Sequence, residues 1–161
     1  MSNSHDNSKF IFFWSGPFSQ WFKCRIMIDG IEYNCAEQYM MAMKAQYFGD
    51  DMALVQIMKS KDPRVQKDIG RNVKKFDADK WEKIAKHFVY KANLAKFSDP
   101  KLKPILLDTG DKEIVEASPT DTIWGIGLAE DNPARFDKSK WRGTNWLGQI
   151  LMAVREELRK A

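Results

Sequence analysis

The sequence predicts an α+β fold that is mostly α-helical, and three observations lead there. Two short β-prone runs, residues 10–14 and 24–28, open the chain, and the second meets Asp29-Gly30, a dipeptide suited to a tight hairpin turn. From residue 35 to residue 97 apolar side chains recur every three or four positions, the period of a helix facing a core. Near the end Leu147, Leu151, Val154 and Leu158 repeat that spacing.

Taken in order, the first run leads into Ser15-Gly16-Pro17-Phe18-Ser19-Gln20-Trp21, a loop whose Gly and Pro set the turn. Phe18 and Trp21 offer flat apolar faces that either stack on a base or plug the core. The two early runs together predict a small N-terminal sheet. Helices follow over residues 35–48, 52–59 and 63–69, the last with Asp62 as N-cap and Gly70 as stop. Asp77 or Asp79 caps a long helix to Phe97, on which Trp81, Ile84, Ala85, Phe88 and Ala92 form a core stripe. Ser98-Asp99-Pro100 restarts a short helix through Leu107, and residues 113–117 read as a strand. Residues 118–143 carry Pro119, Pro133, glycines and acids, and are too long for an ordinary connection, so they form a candidate functional loop.

The 161 residues suit one domain over residues 10–161 behind a disordered tail at residues 1–9. No run approaches the roughly 18 apolar residues of a membrane span, and no signal core follows the N-terminus, so a cytoplasmic protein is expected. Cys24 and Cys35 are read as reduced and structural. His5 and His87 complete no metal-ligand spacing, so no metal and no cofactor are expected. Neither the phosphate loop G-x-x-x-x-G-K nor the dinucleotide fingerprint occurs; Gly125 and Gly127 give a lone G-x-G. A net charge of +4 suits an anionic ligand, but Lys and Arg are interspersed with acids, which argues against a dedicated DNA groove.

Chemistry points to residues 33–45. Glu37 and Lys44 are seven positions apart, close to two helical turns, so both project from one face with Met41 between them. A carboxylate and an amine on an apolar face can be tuned for acid, base or nucleophilic work. The rival reading makes Asn34 and Glu37 a capping box and Lys44 a solvated surface lysine.

Several fragments in fixed order carry a resemblance: Cys35-Ala36-Glu37-Gln38-Tyr39 with Lys44-Ala45, Gly70-Arg71, Lys96-Phe97, Asp121-x-x-Trp124-Gly125-x-Gly127, and Arg142-Gly143-x-Asn145-x-Leu147-Gly148-x-x-Leu151-Met152-x-x-Arg155. From about Phe10 to the C-terminus the chain resembles the NADAR, or YbiA-like, family. The resemblance implies a compact, mostly helical fold with short strands and hydrolysis of N-glycosidic bonds. Family activities include cleavage of early riboflavin-pathway intermediates and removal of ADP-ribose from modified guanine. The implied substrate is thus a phosphorylated riboside or an ADP-ribosylated guanine, the latter in a nucleotide or in modified DNA.

The family's functional glutamate falls on Glu37 and its helix lysine on Lys44. Its polar loop positions fall on Arg71, Asp121, Trp124 and Asn145. Substrate contacts are also expected from Ser15, Phe18 and Ser19 in the first loop and from Gly125 and Gly127, whose backbone amides a ligand can approach. Family members usually have Ser or Thr before the glutamate, His after it and Gln four residues on, where this chain has Ala36, Gln38 and Met41. The usual Asn after Phe-Ser is Gln20 here. A non-catalytic module that binds ADP-ribose or nucleotides is the alternative, since it would keep Arg71, Trp124 and the glycine loop without needing Glu37 and Lys44.

Overall fold

The computed structural model describes residues 9–160. The expected tail lies outside the described residues except for Lys9, whose carbonyl accepts the Glu113 N–H at 2.9 Å and so belongs to the folded part. Four short strands, β1 (Phe10–Phe13), β2 (Ile26–Ile28), β3 (Ile31–Tyr33) and β4 (Glu113–Glu116), accompany six helices. These are α1 (Ala36–Tyr47), α2 (Asp51–Lys59), α3 (Pro63–Arg71), α4 (Ala78–Phe97), α5 (Lys103–Leu107) and α6 (Trp146–Arg159). The mostly helical α+β class expected from the sequence is the class observed. The described residues group into two units, Gln20–Lys96 and a second made of residues 9–19 with residues 97–160.

In the first unit β2 and β3 form the expected hairpin, Ile26 opposite Tyr33 and Ile28 opposite Ile31. Asp29 and Gly30 both have positive φ, 53° and 78°, as a type I′ turn requires. Helices α1, α2 and α3 pack on one another. Asp50 caps α2 through Ala53 N–H, Asp62 caps α3 through Arg64 N–H, and Asp77 closes the first turn of α4 through Lys80 N–H. On α4 Trp81, Ala85, Val89 and Ala92 are buried as the core stripe anticipates. Edge-to-face rings join this helix to its neighbours, Tyr39 on Phe88 at 6.3 Å and Phe48 tilted on Trp81 at 6.4 Å.

Gly70 does not stop α3. The helix runs on to Arg71, with Asn72 as its C-cap. A side chain at position 70 would put its Cβ 2.0 Å from Met41 Sδ, so the glycine serves close approach of α3 to α1 and not helix termination.

In the second unit the first strand does not join the hairpin. β1 pairs in parallel with β4, Phe10 opposite Glu113 and Phe13 opposite Glu116, so the predicted N-terminal sheet is two separate two-stranded sheets. Helix α6 packs on β4 and α5, and Leu147, Leu151, Val154 and Leu158 are its buried face. Val115, Ile126 and Leu128 form a small core against Phe10, Phe12 and Trp141. Residues 118–143 are irregular except for two single 3₁₀ turns, Pro133–Phe136 and Lys138–Lys140.

Candidate functional site

The start of α1 shows which residues hold the helix end and which are left for chemistry. Cys35 is the N-cap, its sulfur accepting the Gln38 N–H at 3.4 Å and its thiol donating to Gln66 Oε1 at 3.3 Å. Burial pushes this thiol up to about 11. The backward-reaching member of the cap is Gln38, whose Oε1 accepts the Asn34 N–H at 2.7 Å. Gln38 Nε2 also donates to the carbonyls of Ile57 and Ser60, tying α1 to the end of α2. The capping role that sequence spacing offered to Glu37 is therefore carried by Gln38, one residue later.

Glu37 is the second residue of α1, and its own N–H donates to the Gln20 carbonyl at 2.9 Å. Glu37 and Lys44 are both buried, at 8% and 9% exposure, although each carries an ionisable group. Lys44 Nζ lies 4.4 Å from the Phe76 ring centre and 5.9 Å from that of Trp81. Burial pulls its ammonium below the ordinary lysine value; the Glu37 carboxylate opposes this, and the nearby Arg71 guanidinium adds to it. Lys44 is thus close enough to sense both Glu37 and Arg71. Met41 lies against Gly70, the residue before Arg71. The Arg71 side chain is 65% exposed and makes a long 3.8 Å contact with Asp68. An open cleft of about 450 Å³ along α2 and α3 is lined by Asp50, Gln56, Asp68, Asn72 and Lys74, and includes neither Glu37 nor Lys44.

The predicted residues of the second unit behave differently. Ser15 is exposed, and the Ser19 N–H closes a turn on the Gly16 carbonyl at 2.9 Å. Phe18 is buried between Phe13 at 5.6 Å and Phe97 at 6.0 Å, packing as a core plug. Asp121 Oδ1 accepts the N–H groups of Ile123 and Trp124, and its carbonyl accepts that of Gly127, so this one residue shapes the loop. Trp124 is half-buried, edge-on to Trp146 at 5.5 Å. A Cβ at position 125 would meet Glu116 Oε2 at 2.7 Å, and Gly127 sits at φ 70° with Arg142 against it, so both glycines serve tight backbone packing. Asn145 is buried with both ends of its amide in use: Oδ1 accepts the Glu116 N–H at 3.0 Å, and Nδ2 donates to the Ile114 carbonyl at 3.0 Å. Although it occupies the N-cap position of α6, its φ of 54° turns the side chain to β4 and no cap bond forms.

Sequence reasoning passes over Lys96, which stands beside Phe97 at the end of α4. It is fully buried, and burial lowers its ammonium to about 8. Its ring partner is Phe22 at 5.4 Å. A lysine at the end of a core stripe was the available signal. Among the described residues no group of three or more His, Cys, Asp or Glu side chains is arranged to hold a metal ion, and no helix is long and apolar enough to cross a membrane.

Such an arrangement, a buried carboxylate–amine pair on a helix of a mostly helical α+β frame, defines a class. The NADAR domain family matches residues 11–159, and the chain belongs to that family. That membership makes it an enzyme, a hydrolase of the N-glycosidase class. Among its relatives are N-glycosidase R617 of Acanthamoeba polyphaga mimivirus, 44% identical over 87% of this chain and 86% of the relative. N-glycosidase YbiA of Escherichia coli (strain K12) is 31% identical over 89% of this chain and 81% of its own length. The NMR structure of E. coli YbiA superimposes with a TM-score of 0.78, at 30% identity, covering 95% of this chain and 86% of that one.

Proposed function

We propose that this enzyme hydrolyses the C–N glycosidic bond of a phosphorylated riboside, with Glu37 and Lys44 at the reacting centre. The observation that carries the reading is the buried placement of Glu37 and Lys44 two turns apart on α1, with Arg71 beside them. Two substrates fit it: ADP-ribose joined to guanine, in a nucleotide or in DNA, and a ribosylamino-pyrimidine intermediate of riboflavin synthesis. Both combine a ribosyl C–N bond with phosphate.

Breaking that bond leaves oxocarbenium character on C1 of the ribose and sends the bonding electron pair to the departing nitrogen. The Glu37 carboxylate stabilises the cationic sugar and takes a proton from the incoming water as its oxygen bonds to C1. Lys44 supplies the other half. With its affinity for a proton reduced by burial, it is a better donor to the leaving nitrogen as an ammonium; as an amine it is a readier nucleophile toward C1 of a ring-opened riboside, forming a Schiff base as the leaving nitrogen departs, which water then hydrolyses to release the sugar and free Lys44. The exposed Arg71 fork suits a phosphate or pyrophosphate. Within the second unit, Trp124 presents a half-buried ring suited to stacking, and Asp121, Asn145, Gly125 and Gly127 shape the backbone around it.

The test is base release from ADP-ribosyl-guanine DNA and from a ribosylamino-pyrimidine phosphate, by wild type, Glu37→Gln and Lys44→Ala, with borohydride added during turnover. Release of one base that needs both residues is expected and names the substrate. A sugar adduct trapped on Lys44 assigns it the amine role, and its absence assigns proton donation. Tight ADP-ribose binding without turnover of either substrate would overturn the reading in favour of a binding module.

A further inference from the structure

The turn of α1 that carries Glu37 is held by a pair of buried amides that the chemistry above leaves unused. Gln20 presents its backbone carbonyl to the Glu37 N–H at 2.9 Å, accepting one of the donors that a helix start leaves without an intrahelical partner. The side chain of the same Gln20 is anchored elsewhere: its Oε1 accepts from Asn93 Nδ2 at 2.9 Å, across 73 positions of sequence. Asn93 lies fully buried on α4, and its Nδ2 also donates to the Val89 carbonyl one turn back at 2.8 Å, which fixes the orientation of the amide. A chain of three hydrogen bonds therefore runs from the backbone of α4 through Asn93 and Gln20 to the backbone of Glu37.

Stability does not account for this pair. Gln20 Nε2 and Asn93 Oδ1 are buried without a hydrogen-bond partner among the described residues. A half-satisfied amide pair in a core is less favourable than apolar side chains of the same shape. What the pair supplies is position. A helix end held only by its own first turn frays, whereas this one is referenced to the interior of a 20-residue helix.

We infer that Gln20 and Asn93 are positioning residues for Glu37, a hydrogen-bonded pair that fixes the carboxylate-bearing turn of α1 against α4. The inference rests on Glu37 being the carboxylate of the proposed reaction.

Two readouts test it on the full chain. The first is amide hydrogen exchange of ¹⁵N-labelled protein. In Asn93→Leu the Glu37 N–H should exchange at least about tenfold faster, while the Leu54 N–H, which donates to the Asp50 carbonyl, keeps its wild-type rate. The second is turnover: kcat should fall about tenfold or more with KM within about threefold of wild type, because a displaced carboxylate loses transition-state stabilisation before it loses ground-state binding. Should Asn93→Leu not fold, Gln20→Asn shortens the same link and is expected to act in the same direction. The reciprocal swap Gln20→Asn with Asn93→Gln restores the summed reach and should recover both protection and kcat. Unchanged exchange at Glu37 in either folded single variant overturns the inference. So does a swap that recovers nothing. Glu37→Gln separates the two ideas: full turnover in that variant removes the catalytic reading, while the exchange rates still decide whether the amide pair places the turn.

Discussion

The α1 face and the segment from Ser118 to Asn145 both carry residues that pattern with chemistry, yet they use them in opposite ways. On α1 the charged groups are buried with aromatic rings against them: Lys44 faces Phe76 and Trp81, and its ammonium is depressed by that burial. In the loop the polar groups are consumed by the chain's own backbone. Asp121 accepts two N–H groups with a single oxygen, and Asn145 spends both ends of its amide on β4. The difference separates reactivity from scaffold. A polar side chain whose capacity is filled by neighbouring backbone holds geometry, and an ionisable one kept in apolar surroundings has free energy to release in a reaction.

The largest break in this comparison comes from removing the charge on α1. Glu37→Gln should lower kcat by about 10³-fold with little change in melting temperature, and Lys44→Ala should do the same. If Lys44 acts as a free amine, the wild-type rate climbs as pH rises toward a value below the ordinary lysine range, and Lys44→Arg abolishes activity; steady-state kinetics across pH reads both.

Asn145→Gly is the mirror experiment. Glycine adopts φ 54° readily, so the change isolates the two lost hydrogen bonds. Losing the bonds to the Glu116 N–H and the buried Ile114 carbonyl should cost about 3 kcal/mol, roughly 10 °C in melting temperature by calorimetry. The folded fraction should keep its kcat.

A smaller effect is expected at Arg71, which is exposed and stands at the edge of the α1 site. Arg71→Ala should raise KM for a phosphorylated riboside about tenfold, leave an unphosphorylated analogue unaffected, and move the Lys44 titration upward, since the guanidinium lowers it.

The smallest effect sharpens what burial alone does to a lysine. Lys96 titrates near 8 in the folded protein and near 10.5 when unfolded. Between those values the unfolded chain binds more protons, so stability rises with pH. From pH 8 to 9 the rise should be at most about 1 kcal/mol in denaturant unfolding. Above pH 9 Cys35 works in the opposite direction, because its thiol stays protonated to about 11 when folded. Lys96→Met should flatten the rise between pH 8 and 9.

The elements were legible because they are local. Asp62 and Asp77 announce helix starts, Asp29-Gly30 announces its turn, and the stripes on α4 and α6 announce which faces are buried. Glu37 and Lys44 were legible for the same reason, since seven residues on a helix place two side chains on one face whatever the rest of the chain does.

What the sequence could not declare depended on contacts distant along the chain. The parallel pairing of β1 with β4 joins residues about a hundred positions apart, and a short apolar strand carries no mark of its partner. Gly70 reads as a helix stop until Met41 is seen to need the space. Asn145 reads as a cap until its amide is found bonded to the β4 backbone at both ends. Gln20 reads as a loop residue until Asn93 is found to hold it. By itself, then, the sequence determined the periodicities, the caps at Asp62 and Asp77 and the shared helix face of Glu37 and Lys44, all set by backbone geometry within a turn or two. Tertiary structure alone decided which polar groups would be spent on the fold and which kept for chemistry, because a hydrogen-bonding group is committed only once its partner arrives.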